Sequence, residues 1–240
     1  MIITIDGPAG TGKSTVALTV AARLGFEFLD TGAMYRAIGL EALRRNSNLE
    51  DARELAFVAR HARIDFDWSR HPPSLILNGE PVGHMLRGSD ATKAASYVAV
   101  VPVIRELLVA QQRAIGAQRR NLVTEGRDQG SVVFPDAERK FYLDATPQER
   151  ARRRVAQLRS RGEVVDPQEI LNQIVARDHR DASRSVGPMV VPKEADVVDT
   201  TRLTQEEVVA YIVDRARAAA ADAVAPVATP VAPIDARHPT

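Results

Sequence analysis

A chain of 240 residues with 45% hydrophobic content can bury one sizeable α/β core with a small inserted lobe. Its 26% charged residues balance to a net charge of +1, so no global basic excess argues for nucleic acid or an anionic membrane surface. Cysteine is absent, which excludes disulfides and thiolate metal sites, and no apolar run is long enough to span a bilayer.

Met1 to Asp6 is short, apolar and rich in isoleucine, and reads as a buried strand. Its start at Met1 leaves no room for a signal peptide, so a cytoplasmic location is expected. Next comes Gly7-Pro8-Ala9-Gly10-Thr11-Gly12-Lys13-Ser14, which fits G-x-x-x-x-G-K-[ST] without gap or substitution. Val16, Ala17, Val20, Ala21 and Leu24 then repeat at helical spacing. Strand, glycine-rich loop and helix N-terminus are the context this motif requires. The glycines let the backbone curl until successive N–H groups point at phosphate oxygens, and the helix adds its positive dipole end. Lys13 is expected to neutralise the outer phosphates and the Ser14 hydroxyl to ligate Mg²⁺, so these eight residues and Thr15 form the candidate cradle.

Gly25 to Asp30 reads as a second strand, and Thr31-Gly32 opens a helix with Met34, Ile38 and Ala42 on one face and Tyr35 and Arg36 in its first turn. Asn48 with Asp51 caps a third helix carrying Leu49, Ala52, Leu55 and Ala56. The pattern then changes. Ile64, Phe66 and Trp68 alternate with charged residues, Pro72-Pro73 intervenes, and Asn78-Gly79 lies between Leu75-Ile76-Leu77 and Glu80-Pro81-Val82, a hairpin signal. Residues 63 to 88 therefore read as the core of a small antiparallel lobe. Helices resume near Asp90, and Pro102 starts one whose apolar face is expected to include Val103, Leu107 and Ala110.

Asn121 to Glu125 is a strand running into Gly126-Arg127-Asp128-Gln129-Gly130, and Lys140 to Leu143 is another. Thr146-Pro147-Gln148-Glu149 and Asp166-Pro167-Gln168-Glu169 are helix starts; Ala195 to Asp199 is the last strand, and Thr204 with Glu207 caps the last helix. Residues 221–240, dominated by Ala, Val and Pro, are expected to be a disordered tail. Five strands alternating with helices imply an α/β fold with a parallel sheet and ligands at the carboxyl ends of its strands.

Arginines form the second constellation. Arg127 follows a strand. Arg150, Arg152, Arg153, Arg154, Arg159 and Arg161 share a helix and, taken singly, read as a solvated face. Ile170, Ile174, Arg177, Asp181 and Arg184 form one helical stripe that leaves the core apolar and ends charged, as a face bordering a cleft would. Planar guanidinium forks suit the charge that spreads over a transferred phosphoryl group. Neither D-x-x-G nor N-K-x-D, expected of a GTPase switch, occurs. The residues alone point to a P-loop kinase of a small anionic acceptor. A kinase of UMP or of a non-nucleotide, and a non-catalytic ATP-binding module, remain as alternatives.

Ile5-Asp6-Gly7-Pro8-Ala9-Gly10, Leu29-Asp30-Thr31-Gly32-Ala33-Met34-Tyr35-Arg36, Gly126 to Ala137 and Arg177-Asp178-x-x-Asp181-x-x-Arg184 resemble the bacterial cytidylate kinase family, from Met1 to about Ala220. The resemblance implies a P-loop kinase core (1–62 and 96–220), an NMP-binding insert (63–95) and a short lid (155–166). It implies Mg²⁺-dependent phosphoryl transfer from ATP to CMP or dCMP. A monomer without nucleic-acid or membrane partners is expected. By the same resemblance Thr31, Arg36, Arg127 and Arg184 are expected at the acceptor phosphate. Arg177 and Asp181 are expected at the ribose, and Ser96, Arg105 and Asp128 at the base. Lys13, Arg127, Arg177 and Arg184 are the candidate catalytic groups, and Glu125 is a candidate for holding an Mg²⁺-bound water.

Overall fold

In the computed structural model, which describes residues 1–224, β1 (Ile2–Asp6) leads through the glycine-rich loop into α1 (Lys13–Leu24). β2 (Glu27–Asp30) turns directly into α2 (Thr31–Arg44), and α3 (Ala52–His61) follows. Asp51 caps α3 by accepting from the N–H groups of Arg53 and Glu54, so Leu49 precedes the helix on which it was expected. β3 (Ile64–Asp67), β4 (Ser74–Leu77) and β5 (Glu80–Pro81) form a separate antiparallel sheet. Asn78 and Gly79 turn between β4 and β5 with φ of 52° and 87°, the two positive values a tight hairpin needs. α4 (Ser89–Val98) and α5 (Pro102–Gln118) return the chain to β6 (Leu122–Glu125) and β7 (Arg139–Asp144). α6 (Pro147–Arg159), α7 (Pro167–Ala182), β8 (Asp196–Asp199) and α8 (Gln205–Val224) complete it.

The main sheet has five strands in the order β2-β6-β1-β7-β8, all parallel. Both its faces are covered, as parallel sheets require. On one side Ile3, Ile5, Val123, Phe141 and Leu143 pack against Val16, Ala17 and Val20 of α1 and Val209 and Ile212 of α8. On the other, Leu29 and Leu122 pack against α2, α5 and the insert. A third, smaller cluster (Ala151, Val155, Leu158, Ile170, Ile174) joins α6 to α7. Register sets Ile5 and Asp30 opposite Glu125, so the carboxyl ends of β1, β2 and β6 finish level and their loops meet.

The insert is fastened to α5. Gln111 Nε2 donates to the Ile64 carbonyl at 2.6 Å, and the Arg119 guanidinium lies 4.3 Å from the Trp68 ring centre.

The apolar face of α5 and the start of the tail differ from expectation. The inner face of α5 carries Ile104, Arg105, Leu108 and Gln112, whereas Leu107 is 42% exposed. A search for a purely apolar stripe selects the wrong side here, because the inner face includes two buried polar residues, Arg105 and Gln112. The division expected between residues 95 and 96 falls inside α4. Residues 155–166 are the last turn of α6 and the exposed link to α7. α8 continues through Val224, past the expected tail boundary at 221; residues 225–240 lie outside the described chain.

Candidate active site

The cradle wall is built by backbone. Gly10 and Gly12 hold φ of 86° and 90°, which lets the loop curl beneath the N-terminus of α1. Lys13 is 5% exposed, and its Nζ donates to the Pro8 carbonyl at 2.7 Å, arched over the loop. Burial, reinforced by the positive charge of Arg127, pushes its ammonium down to about 7. The Ser14 hydroxyl donates to Glu125 Oε1 at 2.7 Å. Burial, with Asp30 adding, raises the Glu125 carboxyl above the ordinary glutamate range.

The opposite wall is built by side chains from several elements. Asp30 caps α2 through the Ala33 N–H at 2.8 Å and accepts from Arg36 at 2.7 Å. Thr31, freed from capping, donates its hydroxyl to the Glu125 carbonyl at 2.7 Å. Arg127 Nε donates to Asp181 Oδ2 at 3.0 Å, Arg184 bonds Asp181 Oδ1, and Arg177 lies 3.9 Å from the same carboxylate. Burial opposes the Asp181 charge, yet Arg127, Arg184 and Arg177 together hold its carboxyl below the usual range. Arg184 is not on the helix stripe: α7 ends at Ala182 and Ser183 is its C-cap, so Arg184 belongs to the chain just beyond.

Arg105, 2% exposed, forms an ion pair with Asp128, and its Nη1 donates to the Ala99 carbonyl at 3.3 Å. Its guanidinium carbon stands 5.5 Å from the Tyr35 ring centre. Gly187, at φ 61°, packs its backbone against this pair, where a Cβ would collide with both partners. The Ser96 hydroxyl donates to the Thr92 carbonyl at 3.4 Å while its side chain borders the cleft. Lys13, Ser14, Thr31, Arg36, Ser96, Arg105, Arg127, Asp128, Arg177, Asp181 and Arg184 all line a single cleft of about 470 Å³.

Some contributors escape a reading of residue types. Asp6 is fully buried, and its two oxygens accept from the N–H groups of Gln129 and Gly130 at 2.8 and 2.7 Å. It thereby fixes the single π-helical turn over Gln129–Val133 that follows Arg127 and Asp128. Burial pushes its carboxyl up to about 7, against those two hydrogen bonds. Behind the Arg105–Asp128 pair, Thr124 donates to Gln129 Oε1 at 2.8 Å and Gln129 Nε2 donates to Gln112 at 3.1 Å. Arg150, expected on a solvated face, is 4% exposed. The period shared with Ala151, Val155 and Leu158 pointed it inward, but its charge argued for water. Arg153 and Arg154 reach the cleft rim.

A backbone phosphate cradle with its lysine on one wall, and arginines held by carboxylates on the other, define the class as a P-loop kinase. The chain belongs to the cytidylate kinase family, whose model (Cytidylate kinase) matches residues 3–218. It is 46% identical over 215 residues to the cytidylate kinase of Caldanaerobacter subterraneus subsp. tengcongensis, covering 90% of this chain and 94% of that one. It is 44% identical to the cytidylate kinase of Pelotomaculum thermopropionicum, covering 90% and 96%. The fold is also similar to the crystal structure of an uncharacterized protein from Eubacterium ventriosum ATCC 27560, at TM-score 0.51 and 14% identity over 91% of this chain and 98% of that one.

Proposed function

We propose that this cleft transfers the γ-phosphoryl group of ATP to CMP or dCMP, with the P-loop wall binding the donor and the arginine wall the acceptor. The observation that carries the reading is the meeting of the two walls: Lys13 lines the same cleft as the Arg127–Asp181–Arg184 cluster and the Arg105–Asp128 pair.

The N–H groups of the loop and the N-terminus of α1 bind donor phosphates, and Lys13 follows charge toward the β–γ bridge. Arg36, Arg127 and Arg184 hold the acceptor phosphate within reach of the γ-phosphorus, beside Thr31. One of its oxygens forms the new P–O bond as the bond to the bridging oxygen breaks, releasing ADP. That oxygen is already anionic, so no general base is required. Arg177 and Asp181 hold the ribose. Asp128 accepts from the cytosine amino group, while Arg105 and Ser96 donate to its ring-nitrogen and carbonyl side. Uracil reverses that donor–acceptor order at the amino and ring-nitrogen positions and strands buried polar groups, at a cost of ~1–3 kcal/mol each.

Ser14 and Glu125 offer a hydroxyl and a carboxylate 2.7 Å apart at the cradle mouth. That donor set fits Mg²⁺, which keeps waters and takes its other ligands from phosphate, and no richer His, Asp or Glu cluster occurs among the described residues. Bound there, Mg²⁺ would neutralise charge on the β- and γ-phosphates. The protein is read as a cytoplasmic monomer; no single helix among the described residues is long and apolar enough to cross a membrane.

A coupled assay of ADP release with each monophosphate in turn tests the reading. Turnover with CMP and dCMP, but hardly with AMP, GMP or UMP, is expected. Turnover with another acceptor alone, or none, overturns it.

A further inference from the structure

Arg150 and Asp178 have no part in the reading above, although Asp178 lies inside the Arg177–Arg184 segment. Arg150 Nη1 lies 2.6 Å from Asp178 Oδ2 and donates to the Ala9 carbonyl at 3.1 Å, while its Nε donates to the Ala145 carbonyl at 2.9 Å. Asp178 Oδ1 is buried and makes no hydrogen bond among the described residues, so the Arg150 contact is what engages this carboxylate. One buried guanidinium thus joins three elements: the glycine-rich loop, the junction between β7 and α6, and α7 next to Arg177.

The contact with Ala9 has a directional consequence. The Ala9–Gly10 peptide is trans, so its C=O and N–H point opposite ways. A carbonyl held by Arg150 turns the Gly10 N–H away from Arg150. The same carbonyl rotated inward would present a negative dipole to the donor phosphates. Gly10 also packs closely against α6, since a Cβ there would stand 3.0 Å from Arg150 Cβ and 3.2 Å from the Arg150 carbonyl.

We propose that Arg150, braced by Asp178, is a positioning residue that holds the Ala9 carbonyl outward and so aims the Gly10 N–H at the donor phosphates, making α7 support the donor wall as well as the acceptor wall. This rests on the reading of the loop as the ATP cradle. Arg150 works through the loop backbone, so its loss should weaken the donor side selectively. A purely structural role would lower both affinities together.

The test uses the full chain with Arg150→Lys and Asp178→Asn, which nearly preserve volume. Arg150→Met serves as the severe variant. Arg150→Lys keeps a cation but loses the fork that reaches two carbonyls and a carboxylate at once. It should weaken ADP binding by calorimetry, and raise KM for ATP, about tenfold, while the Kd and KM for CMP move less than about twofold. Asp178→Asn should show the same split at about threefold. Equal losses for donor and acceptor in either variant, a loss confined to CMP, or unchanged ADP affinity in Arg150→Lys overturns the proposal. Failure of the underlying reading is separate, because it appears in the wild-type protein as no CMP-dependent ADP release.

Discussion

On the proposed reading, the two walls of the cleft would hold phosphates by different means. The donor wall spends few side chains: a loop whose shape is set by glycine, a helix end, and Lys13. The acceptor wall is made of ion pairs between elements far apart in sequence, as in Arg127 with Asp181 and Arg105 with Asp128. Backbone groups cannot be substituted away, so the donor wall should lose function most sharply through its lysine. The acceptor wall should degrade residue by residue, each loss changing which ligand is preferred.

The largest effect is expected from Lys13→Ala, which should lower kcat by ~10²–10³-fold in the coupled assay, since Lys13 faces charge that develops in the transition state. A change seen only in KM for ATP would reassign it to ground-state binding. Arg184→Ala should come next, raising KM for CMP by ~10-fold or more with ATP binding nearly unchanged. Equal loss on both sides would contradict its place on the acceptor wall. Asp128→Asn should narrow the CMP-to-UMP ratio of kcat/KM by ~10-fold, because an amide can meet either base. An unchanged ratio would remove Asp128 from base reading. The subtlest effect concerns protons. Burial lowers Lys13 to about 7, so at pH 8 the empty protein holds much of it neutral. Phosphate favours the charged form, so ATP binding there should be accompanied by proton uptake, read as buffer-dependent calorimetric heat, and vanishing in Lys13→Ala.

The same contrast explains what the sequence made legible. The donor wall is local: strand, loop and helix are contiguous from Ile2 to Leu24, and eight adjacent residues announce them. The five-strand sheet followed from the alternation of elements, and the insert from Asn78-Gly79. The acceptor wall required residues 30 to 187 to converge, and no period carries that information. Arg105 shows why. It is on the buried side of α5, where amphipathic logic forbids a cation, so an apolar stripe turns the helix the wrong way and family resemblance alone singles the arginine out. Arg150 failed for the same reason, because a charged residue reads as wet until its buried counter-ion is found on another element. Asp6 was hidden differently: it lies inside a recognised motif, and only the tertiary meeting of β1 with the Gln129 turn gives its carboxylate partners.

The cations of the acceptor wall rest on internal counter-ions: Asp30 for Arg36, Asp181 for Arg127 and Arg184, Asp128 for Arg105. Arg36 and Arg105 each have a carboxylate of their own, but Asp181 alone faces Arg127, Arg184 and Arg177, so a visiting anion meets surplus positive charge there and competes with an existing partner elsewhere. A nucleotide that engages phosphate, sugar and base positions together can draw on both, so occupancy should rise with the completeness of the visitor as well as with its charge.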